Sequence, residues 1–239
     1  MIFGLRPVIE AIHAGKEIEK LLIQNGLQGE LASELKTIAR KKGLPFVFVP
    51  VEKLNGITRR NHQGVVCILS PIAYQPLDML LPGLFEQGKI PFLMVLDHIT
   101  DVRNMGAIAR SAECAGAHAI ILPSRGSAQL NADAIKTSAG ALHKIPVCRE
   151  DNLRRAIKFM KESGLRIFAC TEKGELPYHK ADFSMPAALV MGSEEKGISS
   201  DCLEMADSRI QIPLHGEIAS LNVSVAAGII LFEAARQRN

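Results

Sequence analysis

From Lys89 onward the chain repeats one grammar: a short apolar run, a polar turn, then a helical pattern. The runs fall at 92–97, 119–122, 166–170, 187–191 and 209–212. Strands that alternate with helices are joined by crossovers rather than hairpins, so they lie parallel. Parallel strands this apolar need helices over both faces. The expectation is an α/β fold whose ligands bind outside the carboxyl ends of the strands. The residues directly after each run are therefore the first candidates for function.

Three of these turns carry unusual polar content. In the first, Phe92 to Asp97 is followed by His98 to Arg103, then Asn104-Met105-Gly106-Ala107-Ile108-Ala109-Arg110. In the second, Ala188 to Met191 runs into Gly192-Ser193-Glu194-Glu195-Lys196-Gly197. In the third, a β-branched run ends at Pro213, which marks a strand terminus. It passes through Leu214-His215-Gly216-Glu217 to Ser220-Leu221-Asn222-Val223-Ser224, and an apolar helix pattern follows from Val225 to Ala235. That helix is apolar on most of its circumference, so it must be covered on more than one side.

The first 70 residues form a smaller alternation. Gly4 to Ala14 and Leu31 to Lys42 read as amphipathic helices, with strands at Lys20 to Gln24, Pro45 to Pro50 and Val65 to Leu69. Pro71, Pro76, Pro82, Gly83 and Gly88 then punctuate a stretch that reads as a linker over 71–88. The chain thus divides into 1–70, the linker, and 89–239. The small part holds 10 Lys and Arg against 6 Asp and Glu, while the whole chain carries only +3, so the basic excess is concentrated there. Arg40-Lys41-Lys42 and Arg59-Arg60 are its densest points. Basic clusters suit phosphate contacts, and they also suit a solvated helix end and a turn.

Composition excludes several classes. With 47% apolar and 22% charged residues the chain is an ordinary globular one rather than a disordered one. Its five cysteines, at 67, 114, 148, 170 and 202, are odd in number and hold no C-x-x-C pair. They read as buried thiols of a reducing cytosol, with no disulfide framework and no metal site expected. Arg6 and Glu10 interrupt the first apolar run, and the stretch near Val225 to Phe232 is too short to span a bilayer. A cytoplasmic protein without a membrane partner is expected.

Familiar catalytic motifs fail in detail. No G-x-G-x-x-G follows a strand. Gly192 to Ser199 has phosphate-loop spacing, but Ile198 stands where the lysine belongs and Glu194 and Glu195 would repel phosphates. Ser220 lacks a G-x-S-x-G elbow, so it or Asn222 is as readily a helix cap. Asn104, just before a helical pattern, would also make a normal cap. Arg110 is harder to assign to structure alone, because Ala107, Ile108, Ala109, Ala112 and Ala115 around it are small or apolar. Its guanidinium needs a partner, either a carboxylate such as Glu113 or Glu194 or an RNA phosphate.

Taken together, in this order, the three blocks resemble the SpoU (TrmH-like) family of RNA ribose 2'-O-methyltransferases. Phe3-Gly4 to Ile12 and His62-Gln63-Gly64 are similar to that family's small RNA-binding domain. The resemblance implies a SPOUT-type parallel sheet with a C-terminal trefoil knot, plus an L30e/L7Ae-like N-terminal α/β domain. It implies S-adenosyl-L-methionine as methyl donor, a homodimer, and RNA rather than DNA as partner. By the same resemblance Arg110 is the principal catalytic residue, with Asn104, Glu194, Ser220 and Asn222 orienting it and the ribose. Gly192, Ile212, Leu221 and Thr171 match positions that line the cofactor pocket. The Phe3-Gly4 start and the Glu233-Ala234-Ala235-Arg236-Gln237 end look most like enzymes acting on a guanosine of large-subunit (23S) ribosomal RNA. A tRNA ribose methyltransferase and a noncatalytic RNA-binding assembly factor stay open. The chain departs from the pattern at Val102-Arg103, where a proline is frequent, and at Glu195, where a small residue is frequent.

Overall fold

The computed structural model describes residues 1–238, which divide into two compact units, Met1–Ala73 and the chain from Tyr74 onward. In the first unit the elements are β1 (Ile2–Phe3), α1 (Leu5–His13), β2 (Ile18–Gln24), α2 (Glu30–Lys41), β3 (Phe46–Val49), α3 (Val51–Ile57) and β4 (Val65–Leu69). The sheet order is β1-β4-β2-β3, with β2 and β3 parallel and the other pairs antiparallel. Val8, Ile9 and Ile12 of α1 and Leu35 and Ala39 of α2 bury one face of it. Leu54 of α3 covers Leu22, Val49 and Val66 on the other. The helix over 51–57 is absent from the sequence reading, because only Leu54 of its seven residues is buried and its apolar period is too sparse to register.

The second unit comprises α4 (Leu77–Glu86), β5 (Phe92–Asp97), α5 (Val102–Cys114), β6 (Ala119–Pro123), α6 (Ala132–Thr137), β7 (Val147–Glu150), α7 (Leu153–Glu162), β8 (Arg166–Cys170), β9 (Leu176–Pro177), β10 (Ala187–Gly192), α8 (Ser200–Met205), β11 (Ser208–Gln211) and α9 (Val223–Arg238). Its strand order is β7-β6-β5-β10-β8-β11-β9, parallel throughout. The expected strands are present. β7 and β9 are additional: half of the residues of β7 are polar and half-exposed, and β9 has only two residues, so neither run is long enough to stand out in sequence.

The stretch read as a linker holds α4 instead. Pro82 lies inside that helix and removes a backbone hydrogen bond, at a cost of roughly 3 kcal/mol. Leu77, Leu81 and Leu84 are buried in the core of this unit, and roughly 1.5–3 kcal/mol for each outweighs that cost. The breaker residues are real, but tertiary burial overrides them.

Two features fix the helices that carry the site. A Cβ on Gly106 would lie 2.7 Å from Thr137 Cβ and 3.0 Å from the Ala134 carbonyl oxygen, so only glycine lets α5 sit this close to α6. At the far end of α9, Arg238 donates to the carbonyls of Ile90 at 2.9 Å and Pro91 at 3.4 Å, and stacks 4.6 Å above the Phe92 ring. Burial pulls the Arg238 guanidinium below its usual range. α9 therefore begins beside the carboxyl ends of the strands and is pinned at their amino ends.

Candidate active site

The C-terminal edge of the sheet brings the three polar turns together. Gly192, the last residue of β10, pairs in register with Asp97, the last of β5. Asp97 is a buried carboxylate at the end of an otherwise apolar strand. Its Oδ2 accepts the Ser199 amide at 2.8 Å, tying down the loop that follows Gly192. The loop closes on itself through Gly197 N to Ser193 O at 2.8 Å and Lys196 N to Ser193 Oγ at 3.0 Å. Asp97 is a site residue the motif reading passed over; the signal for it was a charge where the strand pattern asks for an apolar side chain.

Asn222 is the hub between the turns. Its Oδ1 accepts the amides of Ser224 at 3.0 Å and Val225 at 3.3 Å and so caps α9, one of the two caps the sequence allows. With the oxygen so engaged, Nδ2 faces the other way and donates to Asn104 Oδ1 at 3.0 Å and to Glu194 Oε1 at 2.7 Å. Glu194 Oε1 also accepts the Val223 amide at 2.9 Å, placing a carboxylate at the positive end of α9. One residue from each block thus shares one hydrogen-bond network. Asn104 is free to join because it does not cap α5: Asp101 does, accepting the amides of Arg103 and Asn104 at 2.8 Å each. The aspartate three residues upstream takes the role that the helical pattern alone offered to Asn104.

Beside this network lies a cleft of about 400 Å3. Gly192, Ile212, Leu221, Thr171, Ser220 and Glu194 all line it. Met191, Ile210, Leu214 and Ile230 supply further apolar wall. Thr171 is held there by its amide on the Ile210 carbonyl at 2.9 Å. Glu172 and Glu195 add carboxylates to that of Glu194, against Lys173 and Lys196. A polyphosphate would meet excess negative charge here, whereas a small cationic ligand with apolar parts fits. A second cavity of about 270 Å3 abuts the first and shares Ser193, Glu194, Glu195, Lys196 and Val223 with it; His98, Thr100, Asp101 and Asn104 form its other wall. His98 adopts a left-handed backbone (φ 58°), and its Nδ1 approaches Asp97 Oδ1 to 3.0 Å without hydrogen-bond geometry.

Arg110 stands apart. It is exposed on α5, lines neither cavity, and has no hydrogen-bond or ion-pair partner among the described residues. Both carboxylates considered for it are engaged elsewhere, Glu113 lying 3.9 Å from Lys144 and Glu194 on Asn222 and Val223. The thiols also differ from expectation. Cys67, Cys148 and Cys202 are buried, and desolvation raises them to about 11, 12 and 11, but Cys170 is only half-buried and Cys114 is exposed. Cys114 lies at the solvent-facing end of α5, a position that residue type alone does not reveal.

Residues 91–232 match the family model described as "SpoU rRNA Methylase family", and residues 1–75 match the one described as "RNA 2'-O ribose methyltransferase substrate binding". Among curated proteins, one of Mycolicibacterium vanbaalenii described as "Uncharacterized tRNA/rRNA methyltransferase" is 38% identical over 240 residues, spanning 100% of this chain and 76% of its own length. An AdoMet-bound rRNA methyltransferase from Sinorhizobium meliloti superposes with a TM-score of 0.63 at 30% identity, covering 98% of this chain and 86% of that one. The TrmH/SpoU tRNA modifying enzyme of A. aeolicus reaches a TM-score of 0.58 at 30% identity, covering 68% of this chain and 84% of that one. No helix among the described residues is long and apolar enough to cross a membrane.

Proposed function

The chain belongs to the SpoU rRNA methylase family, and we propose that it methylates the ribose 2'-hydroxyl of a guanosine in large-subunit ribosomal RNA, using S-adenosyl-L-methionine. The observation that carries the reading is the Asn222 network, which joins Asn104, Glu194 and the start of α9 at the mouth of the cleft. The cleft's chemistry fits the methyl donor: apolar walls for an adenosine, backbone edges at Gly192 and Ile212, and carboxylates for a sulfonium, without a phosphate cradle. When bound, that group supplies an already activated methyl, so the protein's task is positioning and charge stabilisation.

The adjoining cavity takes the ribose in this reading, with Asn104 and Glu194 held by Asn222 as orienting groups and Ser220 at the rim. Arg110 stays protonated under almost any condition, so its part is to grip a neighbouring RNA phosphate and stabilise the developing alkoxide rather than to take the proton. Its exposure and lack of a partner support a contact made only when RNA or a second subunit arrives. The apolar stripe of Val225, Ile229 and Phe232 on the outer side of α9, with Val225 52% and Phe232 55% exposed, supports a homodimer. The SPOUT knot formed by the C-terminal passage, and a cytoplasmic location, belong to the same proposal.

Ribosomal RNA is favoured over tRNA because the rRNA methyltransferase likeness extends over 98% of the chain, while the tRNA enzyme's covers 68%. Residues 1–70, with their basic excess, are the RNA-capturing part in this reading. The decisive experiment maps ribose methylation in 23S ribosomal RNA and tRNA from a deletion strain. Loss of one guanosine 2'-O-methyl from 23S RNA is expected. Loss confined to tRNA would replace the substrate, and failure to bind S-adenosyl-L-methionine in calorimetry would leave a noncatalytic RNA binder.

A further inference from the structure

The basic residues of the first unit divide between opposite ends of its sheet. The helix α2 leaves the carboxyl end of β2 and returns to the amino end of β3, so Arg40, Lys41 and Lys42 lie at the amino end of that parallel pair. There Lys42 Nζ is engaged on the Ile12 carbonyl at 3.2 Å. Arg59 and Arg60 lie at the other end, since the loop over 58–64 leads into β4, where Val65 pairs with the end of β2 at Ile23. A Cβ on Gly64 would touch Gln24 and Leu27, so this loop packs directly on the turn after β2. Together the segments 24–29 and 58–64 present Asn25, Gln28, Arg59, Arg60, Asn61 and Gln63 to solvent and contain no acidic residue.

The strand β3 ends at the same place, and it is one of the two edge strands of the sheet. Val47 is 41% and Phe48 46% exposed, adjacent apolar side chains on an edge where folded proteins usually place charge. Phe48 packs edge-on against Phe46 with centroids 5.7 Å apart, and Lys36 Nζ lies 5.9 Å from its ring centroid. A half-exposed aromatic ring with an edge-on aromatic neighbour and a lysine over it, at the same end of the sheet as Arg59 and Arg60, is the chemistry that receives an unstacked nucleobase.

We propose that Phe48 is a stacking platform for an unpaired base of the RNA substrate, with Arg59 and Arg60 contacting its phosphates, while Arg40 to Lys42 serve the domain's solvation. This rests on the reading of the first unit as the RNA-capturing part. Strand pairing with a second copy along the β3 edge is the competing occupant.

The chain contains no tryptophan, so Phe48→Trp in the full-length protein creates a single fluorescent reporter at this ring. A single-stranded oligoribonucleotide should quench its emission with affinity near wild type. Phe48→Ala should weaken that oligonucleotide's binding by about tenfold, the scale of one lost base–aromatic stack, with an unchanged thermal melt. Arg59→Ala with Arg60→Ala should lower the salt slope of binding by about 1–2, whereas Arg40→Ala with Lys41→Ala should leave it unchanged. An unquenched reporter with full affinity in Phe48→Ala overturns the platform. If only the Arg40/Lys41 variant loses affinity, this face is wrong but RNA capture by the first unit stands. If none of the variants changes binding, both fail. A fall in molecular mass by light scattering in Phe48→Ala, with RNA binding intact, overturns the platform in favour of a second copy.

Discussion

Replacing Gly192 by alanine tests how tightly the cleft is specified. The new Cβ would sit 2.1 Å from Gly197 C, 2.2 Å from Gly197 O and 2.3 Å from Ile198 N. Ordinary carbon contacts begin near 3.4 Å, so the 193–198 loop must retreat by about 1 Å, and the obstacle is backbone that no rotamer change relieves. On the β10 side retreat is opposed, because Gly192 pairs with Asp97 of β5 and the residue before it, the buried Met191, pairs with both β5 and β8. Overpacking of this kind costs roughly 1–3 kcal/mol. That corresponds to a fall in Tm of about 2–12 °C for a domain of this size. The displaced loop carries Glu194 away from Asn222 and Val223, so the mouth of the cleft opens with it. Calorimetric titration of S-adenosyl-L-methionine should show affinity reduced by at least tenfold, on the order of 1.4 kcal/mol. Gly216→Ala, where an added Cβ meets nothing within 4 Å, is the matched control and should bind normally. If Gly192→Ala binds the methyl donor within about twofold of wild type, the cleft described here is not the cofactor site.

Arg110→Ala should leave cofactor affinity nearly intact and cut methylation by about 10²–10³-fold, as when a charge-stabilising donor is removed; wild-type turnover would dismiss its catalytic role. Light scattering should give about twice the 26.0 kDa chain mass, and Phe232→Glu should halve it; a wild-type monomer at micromolar concentration would refute the α9 interface. Thiol alkylation at pH 8 should modify Cys114 first. Cys67, Cys148 and Cys202 should resist in the folded protein, because thiols raised to about 11–12 hold about one thiolate in a thousand or fewer at that pH. Their reactivity should rise only as pH climbs toward those values, and rapid labelling of Cys148 at pH 8 in a folded sample would contradict the buried core.

The parallel sheet and its helices were legible in the sequence because burial on both faces writes itself as continuous apolar runs, and 92–97 and 187–191 fall within a residue of the observed strands. The three polar blocks were legible too, since polar and glycine-rich residues at strand ends interrupt that pattern. Three things were not. Whether Pro82 breaks a helix depended on burial of Leu77, Leu81 and Leu84, a sum over distant partners. Which of Asn104, Ser220 and Asn222 caps a helix was decided by Asp101 and by the direction of one amide. Last, the local pattern showed only a charge among apolar neighbours at Arg110 and the family resemblance implied its role, but only tertiary structure left it outside both cavities of its own chain. Sequence periodicity reports which face of an element is dry, whereas the partner of a polar side chain depends on atoms more than a hundred residues away, as Asn222 and Asn104 are.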